Sequence, residues 1–110
     1  MKARYVQRGE SIDFTPESDV AAGDIVRLGA LVGVAKLDVK AGELGALALV
    51  GVYEIATGGT AVEAGKPVYV NPATGKACAQ GTEGAVAFGH AVAAAAATDA
   101  FVHVRLEQGL

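Results

Sequence analysis

The stretch Ala22-Gly23-Asp24-Ile25-Val26-Arg27-Leu28-Gly29-Ala30-Leu31-Val32-Gly33-Val34-Ala35 spells a turn, a short strand, a glycine corner and a second strand. Its β-branched residues suit a pleated, half-buried surface, and its glycines supply the turns. The pieces return later in the same order. Ala64-Gly65-Lys66-Pro67-Val68-Tyr69-Val70 repeats the turn and the short strand, and Gly89-His90-Ala91-Val92-Ala93 echoes Gly33-Val34-Ala35. One β unit used about twice, behind an N-terminal ribbon, is the simplest reading.

Upstream, Ala3 to Arg8 is bounded by Gly9 and reads as a strand carrying Lys2, Arg4 and Arg8. It is either a solvated edge or an arm that lies on a neighbouring acidic surface. Ser11-Ile12-Asp13-Phe14-Thr15 alternates, with Ile12 and Phe14 on one face, as a half-buried strand does. Downstream, Leu31 to Val39 continues the second strand. Leu44 to Ile55 is almost continuously apolar, so it reads as a strand covered on both faces, by its own sheet or by another subunit. Ala61 to Ala64 reads as one helical turn. Pro67 opens a strand, Asn71-Pro72-Ala73-Thr74-Gly75-Lys76 turns it, and Ala77-Cys78-Ala79 returns antiparallel. Ala85 to Ala93 is a strand, and the alanines at 93–97 end it in a turn with at most one helical turn. In Phe101 to Leu106, Val102, Val104 and Leu106 point inward and His103 and Arg105 outward. About nine short strands with regular turns predict an all-β, single-domain barrel or sandwich. Its parts are a ribbon at 1–15, a first β unit at 21–55 and a second at 63–107.

Composition narrows the function. At 110 residues there is room for one core, burying roughly 65% of the unfolded surface. The chain is 52% apolar with six aromatic residues and no Trp. That is more apolar surface than so small a core hides, which predicts burial between subunits. The net charge of −3, without a basic stripe, argues against nucleic-acid binding. A single cysteine, Cys78, excludes an intrachain disulfide and a cysteine-based zinc site. With no long apolar run and no signal-like apolar segment, a soluble protein made in the cytoplasm is expected.

Chemical motifs are few. Gly59-Thr60-Ala61-Val62-Glu63-Ala64-Gly65-Lys66 imitates a phosphate loop, but five residues separate its glycines and Pro67 replaces the hydroxyl residue that would hold magnesium. His90 and His103 lie on neighbouring strands where two imidazoles could share a metal, without a spaced carboxylate to support it. Cys78, between two alanines, has no evident base and reads as packing. Glu10, Asp13, Glu17, Asp19 and Asp24 read as a solubilising surface. No enzyme, cofactor or metal site is expected.

The ordered set Tyr5-Val6-Gln7-Arg8-Gly9, Ile12-Asp13-Phe14-Thr15, Ala22-Gly23-Asp24-Ile25-Val26, Leu31-Val32-Gly33-Val34-Ala35 and Gly42-Glu43 resembles the phage capsid-cement, or head decoration, proteins. Gly51-Val52-Tyr53-Glu54, Ala64-Gly65-Lys66-Pro67-Val68-Tyr69 and Val102-His103-Val104-Arg105-Leu106 complete the resemblance over the whole chain. Some members of that family are labelled "RecA/RadA recombinase", a label the absent phosphate loop does not support. The resemblance implies a phage or prophage structural protein on the capsid exterior of the virion, a β-barrel-like homotrimer bound to the major capsid protein. It brings no catalytic residues. The contacts expected are the ribbon residues Lys2, Arg4, Tyr5, Val6 and Arg8, and Leu47, Leu49 and Val52 lining the trimer axis. The alternative is a small β-barrel module binding carbohydrate or peptide, which the scarcity of exposed aromatics disfavours.

Overall fold

The computed structural model describes residues 2–108 and holds nine strands: β1 (Ser11–Phe14), β2 (Ile25–Leu28), β3 (Leu31–Ala35), β4 (Gly45–Ala48), β5 (Gly51–Ala56), β6 (Pro67–Asn71), β7 (Lys76–Cys78), β8 (Val86–Ala91) and β9 (Phe101–Leu106). No helix occurs among the described residues. The fold is all-β, as the spacing of turns predicts. The first four strands form an open sheet ordered β1-β4-β3-β2, and the last five close into a barrel ordered β5-β7-β6-β8-β9.

The two sheets follow one plan. Ile12 opposite Leu47 and Phe14 opposite Gly45 in the first correspond to Tyr53 opposite Val104 and Ile55 opposite Val102 in the second. Val26 opposite Gly33 corresponds to Val68 opposite Gly89, and Ala35 opposite Leu47 to Ala91 opposite Val104. The connections match too. An isolated bridge joins Val20 to Val39 in one half and Val62 to Ala95 in the other. The Gly23 N–H donates to the Ala35 carbonyl at 2.8 Å, and the Gly65 N–H to the Ala91 carbonyl at 2.8 Å. The repeated Ala-Gly and Gly-x-Ala pieces are therefore the ends of a conserved turn-to-strand clasp.

The halves differ at one corner. Between β2 and β3 the chain turns in two residues, and Gly29, with φ 60°, takes the first central position that a II′-type hairpin reserves for glycine. Between β6 and β8 the chain instead inserts β7, which pairs antiparallel with β6 and touches β5 at Ala56 opposite Lys76. That inserted strand closes the barrel; the first sheet has no counterpart.

Two apolar clusters hold the molecule. The larger joins the barrel residues Val68, Val70, Phe88, Val102, Val104 and Leu106 to Ile25, Val32 and Val34 of the first sheet. The smaller is Phe14, Leu47 and Leu49, with Ile12, Val20 and Val26 against it. Each large side chain so buried contributes about 1.5–3 kcal/mol. Gln108 fastens the halves: its amide donates to the Val32 carbonyl at 2.6 Å and the Leu49 carbonyl at 3.2 Å, and its side-chain oxygen accepts from the Val32 N–H at 2.9 Å.

Several local expectations are corrected. Residues 3–8 form no strand; they are exposed and make no backbone ladder with the rest of the chain. The second strand stops at Ala35, and Val39 returns only as a bridge. The apolar run 44–55 is two strands, not one: β4 belongs to the open sheet and β5 to the barrel, with Leu49 and Val50 between. Its apolarity on both faces is explained by the two sheets it serves. Ala61 to Ala64 is no helical turn, since Val62 and Ala95 exchange backbone hydrogen bonds across it at 2.9 and 2.8 Å. Strand β8 spans Val86–Ala91, shorter than the 85–93 expected.

Candidate functional surface

Each chemical candidate has a structural occupation. The phosphate-loop look-alike runs through the Val62 bridge into strand β6, so no helix N-terminus follows to receive a phosphate. His90 and His103 each take a separate carboxylate: His90 Nδ1 meets Glu107 Oε2, and His103 Nε2 lies 3.3 Å from Glu54 Oε1. Among the described residues no group of three or more metal-ligating side chains converges. Cys78 is a half-buried free thiol on β7. Asp19 and Asp24, expected on a solubilising surface, brace turns, and Asp38 does the same. Asp19 Oδ1 accepts from the Ala41 N–H, Asp24 Oδ2 from Ala21 and Asp38 Oδ1 from Ala22, at 2.8, 2.9 and 2.8 Å. These bonds satisfy turn N–H groups that the ladders leave free.

A groove of about 740 Å³ lies between the Thr60–Lys66 loop, strands β6 and β7, and Ala94–Ala96. Alanines and valines line much of it, with Thr60, Glu63, Lys66, Tyr69, Cys78 and Gln80 as its polar or reactive members.

What the surface does offer is apolar contact area. Tyr5 is 80% exposed and Val6 83%, on an arm that also carries Lys2, Arg4 and Arg8. Arg8 makes one ion pair, with Glu10 at 3.6 Å, between exposed side chains and so worth little. On the β5–β9 ladder, Val52 opposite Arg105, Glu54 opposite His103 and Ala56 opposite Phe101 form the outward face, with Val52 59% exposed and Phe101 also exposed. Leu37 and Leu44 add further exposed apolar side chains. The expected contact residues thus divide. Lys2, Arg4, Tyr5, Val6, Arg8 and Val52 are at the surface. Leu47 and Leu49, at 0% and 8% exposure, lie inside this chain's own smaller cluster, and this corrects their expected place on a subunit axis. Leu37 and Phe101, also exposed, lie outside the expected contact segments. The alternation of β9 places Phe101 outward with His103 and Arg105, and that signal was available.

The described residues thus form an all-β shell that carries exposed apolar side chains on its arm and on the β5–β9 face. The chain belongs to the phage cement protein family, whose sequence model matches residues 6–106 and so spans both sheets. No curated protein and no solved structure matches it. That family is a structural, non-enzymatic kind of protein, and membership points to a structural role at the phage capsid.

Proposed function

We propose that this protein binds the outer surface of the assembled phage head as an oligomer, a homotrimer in the simplest case, and stabilises the shell through contacts with the major capsid protein. The observation that carries the reading is the exposed apolar set, Tyr5, Val6, Val52 and Phe101, on a member of a cement family. Together with the family match, these exposed side chains support a surface that meets a partner.

The mechanism follows from mass action. A ligand that binds only the mature lattice stabilises that state by RT ln(1 + [L]/Kd), about 2.7 kcal/mol per site at a hundredfold excess over Kd. Hundreds of symmetric sites multiply a modest affinity into a large resistance of the whole shell to internal pressure, and linkage within an oligomer adds effective concentration. The arm with Lys2, Arg4, Tyr5, Val6 and Arg8, and the β5–β9 face around Val52, supply the contacts.

The test is co-sedimentation with heads assembled from the major capsid protein of the same phage. The full chain pellets with expanded heads. The variant lacking residues 1–8 stays in the supernatant while keeping the β-type circular dichroism of the parent. Undiminished pelleting of the truncated chain removes the arm from the reading, and failure of the full chain to pellet removes the reading itself.

A further inference from the structure

We infer that the free edge of β2 takes residues 2–9 of a second copy of this chain as an added strand, in the place β7 occupies in the barrel. The inference deepens the oligomeric part of the reading above.

The internal repeat supplies the template. In the barrel half, β6 is flanked on one side by β8 and on the other by β7, through Tyr69 opposite Cys78, Val70 opposite Ala77 and Asn71 opposite Lys76. In the open half, β2 pairs β3 in the matching register at Ile25 and Val26, up to the point where a bulge shifts β6 against β8 between Val68 and Tyr69, and no strand pairs with its other side among the described residues. The residue that corresponds to Tyr69 is Arg27. Its hydrogen-bonding groups point to the empty side, as its partner shows. Residues facing each other at a non-hydrogen-bonded position turn their N–H and C=O groups away from one another. On β3 those groups belong to Val32, and Gln108 takes both. On β2 they belong to Arg27, and no described group meets them. The edge is also undefended. The position matching Pro67, which blocks an edge by lacking an N–H, is Ile25 here. Beside it Leu28 is 47% exposed, at the position where the barrel has the fully buried Val70.

The occupant is argued from length, chemistry and charge. Residues 2–9 carry no backbone pairing of their own and expose Tyr5 and Val6, whose side chains suit a strand. As an extended strand eight residues reach about 26 Å, ample for the four residues of β2. The arm holds three basic and no acidic side chains, whereas residues 10–49 hold seven acidic and three basic ones. Like arms therefore repel one another and are drawn to the first sheet of a neighbour. Such exchange is β-augmentation between copies.

The experiment uses free protein, with no capsid present, so its failure is separable from failure of head binding. In a Cys78→Ser background, Leu28→Cys protein is mixed with Arg4→Cys, Val6→Cys or Arg8→Cys protein, oxidised and run on a non-reducing gel. A disulfide-linked heterodimer forms in at least one mixture, above the level given by an exposed control, Lys76→Cys, in place of Leu28→Cys. Yields equal to that control in all three mixtures, with native circular dichroism for every variant, overturn the inference. So does a light-scattering mass that stays monomeric at all concentrations of the parent chain.

Discussion

Replacing Gly89 by alanine separates the two halves of the molecule energetically. A Cβ at Gly89 falls on the Arg105 carbonyl of the adjoining strand, with the Leu106 Cα at 3.2 Å, so backbone rather than a flexible side chain stands in its way. Relief requires β8 and β9 to part where Gly89 faces Leu106, His90 faces Arg105 and Ala91 faces Val104. Losing two of those ladder bonds costs about 2 kcal/mol. Overpacking strain in the closed barrel adds about 1–3 kcal/mol, for about 4 kcal/mol in all. In a domain of this size each kcal/mol lowers the melting temperature by about 4 °C, so Gly89→Ala lowers it by about 16 °C. Gly33, its counterpart in the open sheet, meets chiefly the Leu47 side chain, with Cγ at 2.5 Å, and the Ala48 carbonyl at 2.7 Å. An open sheet yields more easily than a closed one, so Gly33→Ala costs about half as much. Gly65 has φ 81° and open space beyond, leaving only the backbone term of about 1 kcal/mol. Thermal denaturation followed by circular dichroism ranks the three. A Gly89→Ala protein melting within about 4 °C of the parent refutes the close approach of β8 and β9.

Three further outcomes are expected. Gln108→Ala removes three hydrogen bonds between the C-terminal segment and the first sheet, and lowers stability by about 2 kcal/mol, read as a lower urea midpoint; an unchanged midpoint contradicts the clasp. Phe14→Ala empties the smaller cluster and costs about 3–5 kcal/mol, whereas Phe101→Ala, on the exposed face, shifts the midpoint by about 0.5 kcal/mol at most. Burial holds the Tyr53 phenol above its ordinary value of 10.0. The unfolded chain releases that proton first, so this group leaves stability unchanged at lower pH and reduces it as pH rises beyond that value. Tyr53→Phe flattens this alkaline loss in melts taken across that range, and an identical slope in both proteins argues against it.

The fold was legible where turn chemistry and alternation agreed. Phe101 to Leu106 and Pro67 to Asn71 occupy the strands their patterns predict, and the Asn71–Gly75 turn joins β6 to β7 as expected. The repeat was visible in Ala22-Gly23 against Ala64-Gly65. Its extent was not, because Phe14 answers to Ile55 and Leu47 to Val104 by pairing register, which composition does not carry. The run 44–55 misled for a physical reason: a chain that leaves one apolar cluster and enters another shows no polar punctuation. That is also why Leu47 and Leu49 look like interface residues. The arm was misread as a strand because propensity is local, while a strand requires a partner. At the surface, Tyr5, Val6 and Val52 were recoverable from sequence, but the open edge of β2 was not, since it is defined by what the other half possesses.

No strand ladder crosses from one half to the other; every paired strand finds its partners within 11–48 or within 51–106. Cooperative opening follows ladder boundaries, but here the larger apolar cluster and Gln108 bind Ile25, Val32, Val34 and Leu49 to the barrel across that boundary.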